Sequence, residues 1–171
     1  GNGYVDDIYG ANVTNFSGDV ASDSSHGTHV AGLVKTVRDQ AIGMGYSDAE
    51  RLRILPVKFI HNGSGSTSNA IAALNYAASR GAKVINCSWG AGGHSAYSQA
   101  LYDTMASLYN SDVLVSVAAG NNGSNNDNYP YFPAGYNIPG LISVGSLTAD
   151  HSSGPSISRS YFSNYGTNTV D

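Results

Sequence analysis

Strand and helix patterns alternate along this chain, and that alternation restricts the possible folds more than any other feature of the sequence. Four short apolar segments have the length and composition of buried strands, at residues 53–60, 83–87, 113–119 and 141–144. The third is nearly unbroken in apolar residues, as expected of a strand covered on both faces. Helical periodicity occurs at residues 29–38, 68–80 and 96–109. Gly81 stands where a helix C-cap glycine belongs. The sequence therefore predicts an α/β fold with a parallel sheet and helices on both faces.

Charge and apolar patterning exclude several classes of partner. Eight Lys and Arg against twelve Asp and Glu give a net charge of -4, and no basic run occurs, so we expect no nucleic-acid partner. The apolar runs are too short to span a bilayer, so we expect no membrane partner. Cys87 is the single cysteine; it excludes an internal disulfide, and we expect it to be an inert, buried strand residue.

The segment His26-Gly27-Thr28-His29-Val30-Ala31-Gly32 opens a predicted helix. A histidine at a helix start can present its imidazole to a cleft while its backbone is held rigidly. We expect His29, one turn deeper, to support the structure. Two alternatives stay open: two ordinary histidines, or a metal site using both, since residues three apart share a helix face. A nearby acidic third ligand and the Glu of a zinc-binding helix are absent from the sequence.

Three Gly-rich polar loops follow predicted strands: Asn62-Gly63-Ser64-Gly65, Ser88-Trp89-Gly90 and Gly120-Asn121-Asn122-Gly123. Because the carboxyl ends of parallel strands share one edge, we expect these loops to gather there, where ligands bind. An asparagine on a tight glycine turn can direct its amide at an oxyanion. The alternative is a simple turn. The glycines after residue 60 are a weak match to a dinucleotide fingerprint, because the third glycine and the later acidic residue are missing.

Together these segments resemble the subtilisin-like serine protease family. The His26 segment is similar to its catalytic-histidine signature, and Ala118-Ala119-Gly120-Asn121 to its oxyanion segment. Phe-Pro-Ala, Ser-Val-Gly, Phe-Ser-Asn-Tyr-Gly and Val-Asp segments follow in the order of that family, at residues 132–134, 143–145, 162–166 and 170–171. The resemblance implies a serine endopeptidase in which His26 is the general base and Asn121 the oxyanion donor.

The resemblance also implies the residues that bind substrate. Two segments would flank the substrate backbone, and a further position would form the floor of the pocket for the side chain before the cut bond. These residues are Gly63, Ser64, Gly65, Ser88, Trp89, Gly90, Gly120 and Tyr131. A tyrosine at that floor would make the pocket shallow and favour Ala, Leu or Met over Phe, unless Tyr131 turns outward.

Two catalytic segments of the family have no match in these 171 residues. An Asp-Ser/Thr-Gly segment does not occur before His26, and a Gly-Thr-Ser-Met-Ala segment does not occur after it. We therefore expect residues 1–171 to be a partial catalytic domain that begins after the triad Asp, ends before the nucleophile Ser, and is inactive alone. The alternative is a non-catalytic homologue that binds peptides without cutting them.

The remaining expectations concern ions, partners and location. Residues 2–6, Asn-Gly-Tyr-Val-Asp, resemble the later half of a calcium loop, with Asn2, Tyr4 and Asp6 as ligands; the alternative is a polar turn. We expect no cofactor in catalysis, with calcium as a structural ion. The resemblance further implies a secreted, extracellular, monomeric protein that acts on protein or peptide substrates.

Overall fold

The computed structural model describes residues 2–21, 24–150 and 156–171. The chain divides into two compact units, residues 1–77 and residues 78–171. No helix among the described residues is both long enough and apolar enough to cross a membrane.

The first unit contains a two-stranded parallel sheet, the whole of one α-helix and most of a second. Its elements in chain order are β1 (Ala11–Asn12), α1 (His26–Gly43), a short 3-10 helix (Ser47–Arg51), β2 (Val57–Lys58) and α2 (Thr67–Ser79). β1 pairs with β2 in parallel register. The unit boundary falls within α2, and Gly81 follows that helix with φ +84°, as the sequence predicts for its C-terminal end.

The second unit is built on a three-stranded parallel sheet. Its elements are β3 (Val84–Cys87), β4 (Ala91–Gly92), a 3-10 turn (His94–Ala96), α3 (Gln99–Tyr109), β5 (Leu114–Ala118), β6 (Tyr131–Phe132), β7 (Leu141–Val144), β8 (Leu147–Asp150) and β9 (Ser156–Arg159). β5 lies between β3 and β7, and all three run in the same direction. β4 with β6, and β8 with β9, form antiparallel pairs. The alternation and the parallel pairing confirm the predicted α/β class.

The two faces of the three-stranded sheet differ in burial. One face contains Cys87, Val115 and Val117, each at most 2% exposed. Helix α3 contributes Leu101, Met105 and Leu108 to the same buried core. The opposite face is partly open: Val84 and Leu114, which are neighbours in register, are 64% and 46% exposed. The expectation that β5 is covered on both faces is therefore not met.

Other boundaries also differ from the sequence-based expectations. Helix α1 begins three residues before the predicted segment and ends five residues after it, and none of its residues is buried. Its predicted apolar face remains open, with Leu33 56% and Val37 65% exposed. The predicted strand at residues 53–60 is reduced to the two residues of β2, because β2 pairs only with the equally short β1.

Candidate active site

Two of the three predicted loops lie at the carboxyl edge of the three-stranded sheet. Ser88, Trp89 and Gly90 follow β3, and Gly120 and Asn121 follow β5, the strand paired with β3. Because these strands are parallel neighbours, both loops leave the sheet at the same edge, as the alternation predicts. The site in this unit is formed from this pair of loops.

The ring of Tyr131 packs against glycines of both loops. A methyl group built on Gly90 would lie 2.4 Å from Cε1 of Tyr131, and one built on Gly120 would lie 3.2 Å from Cδ2 of the same ring. Partial burial raises the pKa of the Tyr131 phenol above its ordinary value. The ring therefore occupies space that the two glycines would otherwise leave open between the loops.

Tyr131 is held by the strand in which it lies. β6 pairs with β4, so that Gly92 faces Tyr131 and Ala91 faces Phe132. Phe132 then joins an aromatic cluster, with its ring centroid 5.4 Å from that of Tyr97 and 5.0 Å from that of Tyr136. These contacts restrict the backbone on the C-terminal side of Tyr131 and support the inward position of its ring.

The turn after β5 leaves Asn121 accessible. Asn121 is exposed, whereas Gly120 before it is buried and adopts φ +112°, a conformation that side chains rarely tolerate. A Cβ atom at Gly120 would also lie 2.4 Å from the side-chain nitrogen of Asn164. A glycine is therefore required at this position both for its backbone conformation and for the close approach of Asn164.

A buried pair of asparagines fills the inside of this turn. Asn126 and Asn164 are each 2% exposed. The Nδ2 of Asn164 donates to Oδ1 of Asn126 at 3.0 Å, and the Nδ2 of Asn126 donates to the carbonyl of Ala119 at 2.9 Å. Buried amides are stable only when hydrogen-bonded, and these two satisfy each other while fixing the end of β5.

Asp127 ties the same loop to a later turn. Its carboxylate accepts hydrogen bonds from the Thr169 hydroxyl at 2.8 Å and from the Thr167 backbone N–H at 2.9 Å. The Thr169 hydroxyl, with the neighbouring backbone donors, holds the pKa of the Asp127 carboxyl below its ordinary value. The segment after β5 is thus fixed to residues 162–169 along most of its length.

His26 is the first residue of α1, in the first unit. It is exposed, and its backbone N–H donates to the Ser24 hydroxyl at 3.2 Å. His29 is exposed as well, so it is not buried among the described residues, and its expected role in supporting the full-length protein stays a prediction. The described residues contain no group of three His, Cys, Asp or Glu side chains suited to a metal ion. They therefore supply no third ligand for a metal site that uses His26 and His29.

The remaining loop, at residues 62–65, is a tight turn in the first unit. His61 and Ser64 exchange backbone hydrogen bonds of 2.9 and 3.1 Å, and Asn62 and Gly63 both have positive φ. A methyl group on Gly65 would lie 3.0 Å from the ring of Phe59. Gly63, Ser64 and Gly65 therefore form an ordered turn, and their predicted contact with substrate stays a prediction.

The candidate calcium ligands lie in a hydrogen-bonded turn. Asn2 accepts from the Tyr4 backbone N–H at 3.1 Å through its side-chain oxygen and donates to Asp7 through its amide nitrogen. Asp6 has φ +56°. The side-chain oxygen of Asn2, which the calcium prediction assigns to the ion, thus already accepts a hydrogen bond, as it would in a polar turn. Calcium binding at this turn stays a prediction.

Cys87 behaves as the sequence predicts for an inert thiol. It is 1% exposed at the end of β3. Burial raises its pKa to about 12, which keeps the thiol protonated and unreactive at neutral pH.

The sequence does not indicate the two buried asparagines or the hydrogen bonds from Thr167 and Thr169 to Asp127. Asn126 and Asp127 stand in an asparagine-rich run whose members look alike in the sequence, and Asn164 lies within the Phe-Ser-Asn-Tyr-Gly segment. Asn164 is distinguished from the other asparagines only by its place in that segment.

Comparison with known proteins agrees with the resemblance. The subtilase family model matches residues 1–171. The chain is 34% identical over 158 residues to the cell wall-associated protease of Bacillus subtilis (strain 168), an alignment that covers 92% of this chain and 16% of that protein. It is 37% identical over 145 residues to the thermophilic serine proteinase of Bacillus sp. (strain AK1), covering 84% of this chain and 32% of that protein.

A solved structure gives the same result. The crystal structure of a cold adapted subtilisin-like serine proteinase is 32% identical, with a TM-score of 0.55 over 71% of this chain and 40% of that one. The chain thus spans 16% and 32% of the length of the two curated relatives. By its match along the whole of its length, the chain belongs to the subtilase family.

Proposed function

We propose that the full-length protein is a serine endopeptidase that hydrolyses peptide bonds by acyl transfer. His26 acts as the general base that accepts the proton of the nucleophile and returns it to the leaving amine. Asn121 donates its side-chain amide to the oxyanion of the tetrahedral intermediate. Ser88, Trp89, Gly90 and Gly120 bind the substrate near the cut bond.

One observation supports this proposal above the others. Asn121 is exposed at the carboxyl edge of the parallel sheet, on a turn fixed by the buried hydrogen bonds of Asn126 and Asn164 and beside the loop that follows β3. An oxyanion donor must be held in place before the reaction, because a donor that has to reorient loses much of its stabilising effect. An exposed amide on a rigid turn meets that requirement.

The nucleophilic serine and the triad aspartate are proposed to come from other segments of the full-length protein. The sequence contains neither of the family segments that would supply them, and its relatives are several times longer. A histidine and an oxyanion donor provide no covalent route to an acyl-enzyme. We therefore propose that residues 1–171 alone hydrolyse no peptide.

Location and assembly follow from the same proposal. We propose a secreted, extracellular and monomeric enzyme that acts on protein or peptide substrates and needs no cofactor in catalysis. The low charge and the lack of a basic run are consistent with the absence of a nucleic-acid partner.

Calcium is proposed as a structural ion at Asn2, Tyr4 and Asp6. A ligand that binds only the folded state raises stability by mass action, so millimolar calcium should raise the melting temperature of the full-length protein. Asp6→Ala should abolish that rise, while Asp48→Ala, which changes an exposed carboxylate elsewhere in the first unit, should retain it. A calcium response that is equal in all three proteins would contradict the assignment.

A fluorophosphonate probe tests the proposed activity directly. The full-length protein should be labelled at one serine, and the labelled protein should no longer hydrolyse a peptide anilide. A protein that binds peptide with no labelling and no turnover would be the non-catalytic homologue. Turnover that survives labelling and is lost with bound zinc would instead identify a metal-dependent hydrolase.

A further inference from the structure

Asn164 contacts both peptide groups that flank Asn121. Its backbone N–H donates to the carbonyl of Gly120 at 2.9 Å. Its side-chain Oδ1 accepts from the backbone N–H of Asn122 at 2.8 Å. The peptide before Asn121 and the peptide after it are therefore held by one residue, which restricts both backbone dihedrals of Asn121.

The side chain of Asn164 also braces the rest of the turn. The same Oδ1 accepts from the Ser124 backbone N–H at 3.2 Å, and Nδ2 donates to Asn126 at 3.0 Å. Because Asn126 donates in turn to Ala119, the bonds reach from the end of β5 to the far side of the turn. Only a side chain with an acceptor and a donor on one short stem can make this set.

Backbone pairing places Asn164 there and leaves it little freedom. Gly123 donates to the Phe162 carbonyl at 2.7 Å and Tyr165 donates to the Ser124 carbonyl at 3.0 Å, on either side of Asn164. The side chain is 2% exposed. A buried amide in this position loses its hydrogen bonds if the turn moves, so movement of the turn is costly.

We propose that Asn164 is a positioning residue that sets the direction of the Asn121 amide. Asn164 does not touch substrate; it acts by holding the two peptides around the oxyanion donor in place. The inference rests on the proposed function, because it requires Asn121 to donate to an oxyanion. It adds the prediction that Asn164 affects turnover through Asn121 and through no other route.

The test uses the full-length protein and a peptide anilide, with kcat, KM and melting temperature measured for each variant. Asn164→Ala should lower kcat about 10- to 100-fold with KM changed less than about threefold, since a misdirected donor loses part of the 10²–10³ that removal costs. Asn12→Ala is the matched control. Asn12 is also a buried asparagine, 5% exposed, whose Oδ1 accepts from the Thr14 backbone at 3.0 Å in the first unit.

A double-mutant comparison separates positioning from general support. In an Asn121→Ala background, Asn164→Ala should change kcat less than about threefold, because the donor that it directs is already gone. Asn12→Ala should lower the melting temperature and leave kcat unchanged in both backgrounds. Losses that multiply in the double variant, or an unchanged kcat in Asn164→Ala, would overturn the inference.

A second variant covers the case in which Asn164→Ala does not fold. Asn164→Asp keeps the acceptor for Asn122 and Ser124 but loses the donor to Asn126, and it buries a charge. It should lower kcat less than Asn164→Ala if both fold, and its effect should likewise vanish in the Asn121→Ala background. An undiminished effect in that background would contradict the proposal.

The same set of variants distinguishes failure of the positioning role of Asn164 from failure of the proposed function. If Asn121→Ala lowers kcat about 10²–10³-fold while Asn164→Ala does not, only the positioning role is wrong. If Asn121→Ala leaves kcat unchanged, or the full-length protein turns over no substrate, the proposed function itself fails.

Discussion

Three asparagines around the turn after β5 place the same chemical group in two different environments. Asn121 is exposed, while Asn126 and Asn164 are each 2% exposed. An exposed amide can meet a ligand, and a buried amide pair fixes the backbone. The difference comes from the pairing of residues 162–165 with this turn, a contact between segments about forty residues apart that periodicity cannot reveal.

At the same scale, Tyr131 should determine which substrate side chain is accepted. Its ring packs against Gly90 and Gly120, which supports the prediction of a shallow pocket. We compare kcat/KM for two peptides that carry Phe or Ala at the residue before the cut bond. Tyr131→Gly should raise the Phe-to-Ala ratio by about tenfold or more, because the fit of a side chain in an apolar pocket is worth ~1–3 kcal/mol.

The control for that measurement is Tyr129→Gly. Tyr129 lies two residues earlier in the same loop and is 72% exposed, so the substitution adds the same backbone freedom without emptying the space between the loops. The ratio should stay at the wild-type value in this variant. Equal ratios in wild type and Tyr131→Gly would mean that Tyr131 does not form the pocket.

At the scale of elements, α1 presents two histidines in different positions. His26 is its first residue and His29 lies one turn later, and both are exposed. His26→Ala in the full-length protein should lower kcat by on the order of 10⁴–10⁶, as removal of a general base from a triad does. His29→Ala should keep kcat within a few-fold.

Peptide turnover and zinc content are measured together in these two variants. Neither substitution should release a metal ion. Parallel losses of zinc and of activity in both variants would favour the metal-site alternative over the general base.

The sequence predicts the elements better than their limits. β3 and β7 fall within or at the segments chosen by apolar composition, because each pairs with a full-length neighbour. Helix α3 begins at Gln99, three residues later than predicted, because the Ser98 hydroxyl caps it by accepting from the Leu101 N–H at 3.3 Å. Strand ends and helix starts depend on partners and caps that a window of apolar residues does not contain.

The sequence likewise predicts the main residues of the candidate site better than the residues that support them. The ordered segments indicate His26, Asn121 and Tyr131 in the sequence. Asn126 and Asn164, which hold the turn around Asn121, are not indicated, because their roles depend on contacts between distant segments.

At the scale of the whole molecule, the described residues leave much apolar surface open. Ile142 and Val144 of β7 are 44% and 50% exposed, next to the open residues of β3 and β5. Contiguous apolar surface of this kind favours association or loss of fixed packing. The isolated 171-residue chain should therefore be aggregated or molten, with strong binding of a hydrophobic dye and no cooperative melting transition.

Calorimetry and light scattering of the isolated chain check this expectation. A soluble monomer that unfolds cooperatively, with calorimetric and van't Hoff enthalpies in agreement, would contradict it. Such a result would also require another explanation for the exposed residues of the sheet.

The kcat of Asn121→Ala in the full-length protein shows whether Asn121 is the oxyanion donor. If the turn after β5 supplies the oxyanion donor, kcat for a peptide anilide should fall about 10²–10³-fold with little change in KM. Asn128→Ala, an exposed asparagine in the same run, should leave kcat unchanged. An unchanged kcat in Asn121→Ala, or an equal loss in both variants, would contradict the account.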